Sequence, residues 1–177
     1  MVIVLPPQVV TERLSENSSA RNQGNESFET ALRNAANAEI SRHQYSMVAA
    51  ESLQNPDAIV WLKQLEPLTS RLARGAINDD AQLILAHFKT LPQDYLILVQ
   101  FMKIKSAPGA SYDAWSGAIT SGMSSTLLQA ALISTRTGQV SWKNEVLVRK
   151  LFPATDPRFA KSIETLYQTF STGGGNR

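Results

Sequence analysis

The sequence predicts a single α/β (α+β) domain, a mixed β-sheet of about five strands with helices packed on it. Three observations carry this expectation. Hydrophobic patterns along the chain run in the order strand, helix, strand, helices, then three strands and a closing helix. The run YLILVQFMKIK, Tyr95 to Lys105, is apolar on both faces in its front half, as a strand covered from both sides must be. The stretch LLQAALISTRTGQVSWKNEVLVRK, Leu127 to Lys150, holds two strand-like runs around Arg136, Thr137, Gly138 and Gln139. A glycine in so short a connection permits the positive φ of a hairpin turn.

Taken in order, Val2 to Leu5 read as a buried strand stopped by Pro6 and Pro7, which cannot donate ladder hydrogen bonds. The next residues, VVTERLSENSSARNQGNESF, are rich in Ser, Asn and Glu without a sustained period and read as an exposed loop. Long loops of this kind are commonly functional or disordered. From Phe28, the spacing of Leu32, Ala35, Ala36 and Ile40 makes one helical stripe, with Glu29, Arg33 and Asn37 elsewhere. YSMVAA, Tyr45 to Ala50, is a second strand. Asn55, Pro56 and Asp57 supply a cap, a proline suited to the first helical position and an acid favoured by the helix dipole. Pro67 should kink that helix and Gly75 stop it. Asn78, Asp79 and Asp80 open a further helix through Phe88. Beyond the strand at Tyr95, its back half alternates Phe101, Lys103 and Lys105 against Met102 and Ile104, as in a strand emerging toward solvent. Ser106 to Ser125 read as irregular. In the second hairpin strand Val140, Trp142, Val146 and Val148 share one parity and Ser141, Lys143, Glu145 and Arg149 the other, so one face should be buried and one wet. Asp156 and Pro157 open a last helix with the stripe Phe159, Ile163, Leu166, Tyr167 and Phe170. The domain is expected to span 1–171, with 172–177 a flexible tail.

Composition bounds the function. A chain of 177 residues fits one domain and buries roughly 70% of its unfolded surface, enough for a core without staples. Seventeen Lys and Arg against fifteen Asp and Glu give a net charge of +2, and the basic residues are scattered, so nucleic acid is not the expected partner. The absence of cysteine removes disulfides, thiol nucleophiles and cysteine-ligated metals. No apolar run reaches the roughly 20 residues of a membrane helix. The opening MVIVLPP lacks the charged, apolar and small-residue regions of a signal peptide, so the leader of an exported protein would lie outside this chain.

Catalytic patterns are sparse. His43 and His87 are the two histidines and neither has a metal-ligand spacing. Asp79 and Asp80 could pair as acid and base, but their place after Asn78 fits helix-start electrostatics better. There is no GxSxG elbow, and the closing STGGGNR lacks the helix a phosphate loop needs. SGAITSGM could cradle an anion through backbone amides, but nothing fixes a phosphate-binding geometry there and an ordinary loop explains it better. Tyr112 and Trp115 stand on irregular backbone, where aromatics either anchor an interface or cap the core. Trp142 and Trp61 fit core positions.

VIVLPP, LPQDYLILVQFMKI and LLQAALISTRTGQVSWKNEV together resemble the small bacterial envelope lipoproteins with a TolB N-terminal-like α/β domain, a group that includes CsgG, PelC and LpoB. They look like that group's opening strand and proline stop, its central strand, and its hairpin with a Thr-Gly turn and a Val-x-Trp strand. Members begin at a lipidated cysteine, which this chain lacks. Joined to the missing catalytic constellation, the resemblance implies a non-enzymatic periplasmic lipoprotein, with anchor and signal absent from this chain. It would serve an outer-membrane assembly, secretion or polysaccharide-export system without a cofactor. Its partners would be envelope proteins, further copies of itself, and the outer membrane through the missing anchor. The loops Val9 to Asn25 and Ser106 to Ser125, with Tyr112 and Trp115, are the expected contact surfaces. Two other classes stay open: a module in which Tyr112 and Trp115 stack on glycan or peptidoglycan, and a small enzyme using Asp79, Asp80, His87 or the glycine-rich loop on an anionic ligand.

Overall fold

The apolar runs that mark strands in the sequence meet in one sheet. The computed structural model describes residues 1–12, 18–48, 53, 56–75, 77, 79–89, 94–105, 112–113, 118–119 and 125–170. Its elements are β1 (Val2–Val4), β2 (Gln8–Glu12), α1 (Ser18–Arg42), β3 (Met47–Val48), α2 (Pro56–Leu65), α3 (Thr69–Ala73), α4 (Asp79–Phe88), β4 (Leu96–Lys105), β5 (Tyr112–Asp113), β6 (Ala118–Ile119), β7 (Ser125–Ser134), β8 (Val140–Val148) and α5 (Pro157–Tyr167). The mixed α/β architecture agrees with the sequence reading, with six strands in the main sheet instead of about five.

The sheet runs β3–β1–β4–β7–β8, with β2 also paired to β4. Strands β3, β1, β2 and β4 are parallel where they pair, and β4, β7 and β8 are antiparallel. β1 and β2 lie end to end along β4: Val4 faces Leu98 and Gln8 faces Phe101. Leu5, Pro6 and Pro7 thus oppose only Val99 and Gln100, a one-residue bulge that takes up the prolines without needing their missing donors. Leu5 N–H still reaches the Leu98 carbonyl at 3.0 Å.

Here the first expectation is corrected. Val9 to Asn25 is not a loop throughout: Gln8–Glu12 pairs with Phe101–Lys105, and α1 already begins at Ser18. Part of the polar stretch that suggests a loop thus falls in a strand paired with β4 and in the first turns of a long helix, while residues 13–17 lie outside those described.

Alternation puts two cores on the two sheet faces. The first joins Leu98, Met102, Leu128, Ala130 and Leu132 to Phe28, Leu32, Ala36 and Ile40 of α1 and to Phe159, Ile163 and Leu166 of α5. The second joins Ile3, Ile97, Val99, Phe101, Ala131 and Ile133 to Leu62, Leu65, Leu72, Leu85 and Phe88 of the α2–α4 layer. Three of the helix-boundary signals are seen, while the expected caps Asn55 and Asn78 lie outside the described residues. Pro67 converts Glu66–Leu68 to a 3₁₀ turn between α2 and α3, and Gly75 turns the chain at φ 77°. Asp156 caps α5 by accepting from Arg158 N–H at 2.8 Å.

The hairpin also forms, with Gly138 at φ 68°. Its parity does not survive intact, however. Leu132 opposes Trp142 while Ile133 opposes Val140, so Ser141 is a bulge residue and the side-chain alternation slips by one. Trp142 therefore joins the α1–α5 core and Val140 the opposite one, although their spacing in sequence assigns them to one face. Ser106 to Ser125 also departs from a purely irregular reading. Tyr112–Asp113 pairs with Ala118–Ile119, and Ser125 already belongs to β7. Residues 172–177 lie outside those described.

Candidate functional site

The helical layer α2–α4 covers only part of its sheet face. It reaches the row Gln8–Phe101–Gln129–Glu145, whose members oppose one another across β2, β4, β7 and β8. Gln8 Nε2 donates to the Glu66 carbonyl, and Phe101 is 6% exposed beneath the layer. The next row on the same face is Val10–Lys103–Leu127–Leu147, again in direct cross-strand register. It lies past the helices. Leu147 is 66% exposed and Val10 41%. Exposed large apolar groups in one row are the kind of feature that marks an interaction surface.

The charge around this strip is mixed and favours cations. Lys103 lies within the row, Lys105 ends β4, and Arg149 and Lys150 directly follow β8 with exposed side chains. None of the ion pairs among the described side chains involves Lys105, Arg149 or Lys150, and the Glu12 side chain lies outside those described. The acids in neighbouring rows are Glu12, which opposes Lys105, and Glu145, whose Oε2 accepts from Gln129 Nε2 at 3.0 Å. The strip was partly legible in the sequence, because the change in β4 from apolar on both faces to alternating Phe101, Lys103 and Lys105 marks where cover ends on this face. The cross-strand row itself needs the register.

Of the side chains singled out from sequence, those that the structure describes do not converge here. Tyr112 lies on β5 with its backbone opposite Ile119, while its side chain and all of Trp115 lie outside the described residues, as does SGAITSGM apart from Ala118 and Ile119. Residues 106–124 connect Lys105 to Ser125, which oppose each other at the strip's end of the sheet. Asp79 and Asp80 occupy the first turn of α4 and His87 its last, about 10 Å apart along the axis. The His87 ring stacks on Trp61 at 4.3 Å between centroids. His43 belongs to the other helical layer, 3.7 Å from Glu39 and tilted against Phe170. Among the described residues no group of three or more His, Asp or Glu is placed to hold a metal ion.

A second polar feature lies between α1 and α5. Gln100, fully buried on β4, donates to the Leu32 carbonyl at 2.9 Å and to the Tyr167 hydroxyl at 2.6 Å. Burial raises the Tyr167 phenol pKa above its ordinary value, outweighing the Gln100 hydrogen bond that opposes the rise. A cavity of about 620 Å³ opens nearby, lined by Glu39, Arg42, His43, Lys161, Glu164 and Tyr167. Glu39 is bonded to Arg42 at 2.9 Å, so the buried acid is already satisfied from within α1. These contacts read as a core network with a charged rim.

No family model matches the chain, and no curated protein matches it. Among solved structures it is similar to a lipoprotein from Neisseria meningitidis, at 13% identity and a TM-score of 0.39, over 99% of this chain and 98% of that one. It is also similar to a putative neuraminyllactose-binding hemagglutinin homolog from Helicobacter pylori, at 13% identity and a TM-score of 0.40, over 99% and 82% of the two chains. Likenesses at this level assign the chain to no family. No helix among the described residues is long and apolar enough to cross a membrane.

Proposed function

We propose that this chain is a non-catalytic accessory protein of the bacterial envelope, a periplasmic lipoprotein-type component that binds other proteins of an outer-membrane assembly, secretion or polysaccharide-export system. The observation that carries the binding part is the exposed row ending in Leu147 and Val10, apolar groups left outside both cores and rimmed by cations. The envelope part is supported by the resemblance of VIVLPP, the central strand and the hairpin to the TolB N-terminal-like lipoproteins. Topology fits such a role. The Met1 carbonyl accepts from Leu96 N–H at the start of β4, whereas the strip lies near Lys105 at its end, about 30 Å away. A tether at the Met1 end would leave the strip directed away from the membrane.

The test is envelope fractionation in the native host, combined with deletion of the chain. The expected result is recovery with outer-membrane material and a defect in export or surface assembly. Recovery wholly in the cytosol, or an unaltered envelope after deletion, would overturn the reading. Returning the chain to the same strain with Tyr112→Ala and Trp115→Ala, or alternatively with Leu147→Asp, shows which surface serves the function.

A further inference from the structure

We infer that this strip, which no described helix covers, is a docking shelf for an acidic, amphipathic helix of a partner protein; this rests on the accessory reading above and specifies the partner's chemistry. The strip begins one two-residue step, about 7 Å, beyond the row on which the α2–α4 layer ends. A helix with its side chains is about 10 Å thick, so the strip is the floor of a step and not a protruding surface. A flat bilayer would meet the helices first. A partner helix can lie against the step and continue the layer, burying its apolar stripe on Leu147 and Val10 as helices in grooves do.

Charge selects the sign of that helix. Lys103, Lys105, Arg149 and Lys150 outnumber Glu12 and Glu145 around the strip, and Glu145 already accepts from Gln129. Glu or Asp flanking the partner's apolar stripe would complement this rim, whereas Lys or Arg would meet like charge. The apolar contact supplies affinity and the cations supply orientation and salt dependence.

The experiment uses the full chain and three probes: a fluorescent peptide of about 18 residues with Leu and Glu at helical spacing, the same peptide with Lys for Glu, and phosphatidylglycerol vesicles. The acidic peptide is expected to bind saturably and more weakly as salt rises. Leu147→Asp should weaken it about tenfold or more, and Lys105→Glu about two- to fivefold. Leu83→Asp, at an equally exposed leucine on α4, should leave binding unchanged. Circular dichroism and native mass check that each variant remains folded. Equal binding of the basic peptide, indifference of the acidic one to Leu147→Asp, no peptide binding, or binding to vesicles alone would each overturn the shelf. Those results would leave the accessory reading standing, since that reading falls only to the fractionation and deletion outcome.

Discussion

Gln44 terminates α1 at φ 56°, a left-handed conformation that costs a side chain about 1 kcal/mol and glycine almost nothing. The geometry around it is a Schellman motif: Tyr45 N–H reaches the Ile40 carbonyl and Gln44 N–H the Ser41 carbonyl, both at 3.1 Å. Gln44→Gly is therefore expected to stabilise the fold by roughly 0.5–1 kcal/mol in urea denaturation. Gly138→Ala should have the opposite sign at about 1–2 kcal/mol: φ is 68° there and the added carbon meets nothing within 4 Å, so conformation alone is charged. Equal signs for the two changes would contradict this account. Tyr167 offers a test by pH. Its raised phenol pKa means that the folded state keeps a proton the unfolded chain releases above about pH 10. Its contribution to stability is thus intact below pH 10 and lost as pH rises further. Tyr167→Phe should flatten that alkaline decline while costing about 1–2 kcal/mol at pH 7, where Gln100 loses a partner. Stability curves of equal slope between pH 9 and 11 would sink the assignment.

At the scale of elements, the bulge in β8 decides where the largest aromatic goes. Trp142 stacks parallel to Tyr167 at 6.0 Å, meets Phe170 edge-on at 4.9 Å and donates from Nε1 to Thr169 at 3.2 Å. Trp142→Ala is expected to cost about 3–5 kcal/mol. Deleting Ser141 restores regular alternation, so either Val140 or Trp142 must change faces. That deletion should rival Trp142→Ala in cost even though Ser141 itself is exposed, and a loss under about 1 kcal/mol would mean that the bulge is incidental. These elements also show what a sequence can reveal. The strands at Tyr95 and Leu127, the proline break at Pro67, the turn at Gly138 and the cap at Asp156 were legible because each rests on local chemistry. β2 and the first turns of α1 were not, because their polar residues carry no period and β2 is defined by its pairing with β4. The bulge at Ser141 and the row through Leu147 escaped for the same reason: cross-strand register is a long-range property. Tyr112 and Trp115 stand out in the sequence as aromatics on irregular backbone, and the strip is foreshadowed there only by Lys103 and Lys105.

Across the whole molecule, the two faces of the sheet are covered unequally, and stability should follow. The first face is held by α1, with 25 residues, and by α5, whose aromatic contacts with Trp142 bind helix to sheet. The second is held by helices of 10, 5 and 10 residues, α2, α3 and α4. Helices this short are marginal alone and depend on packing, and their layer stops short of the strip. The α2–α4 layer is therefore expected to open as a unit below the free energy of global unfolding. Central β4 and β7, paired on both sides, should open only globally. Native-state hydrogen exchange in low urea measures this directly. Amides of Leu62, Leu72 and Leu85 should share one intermediate opening free energy, while those of Val99, Met102 and Ala130 should exchange last. Were α5 to exchange before α4, the unequal cover would not be what sets local stability.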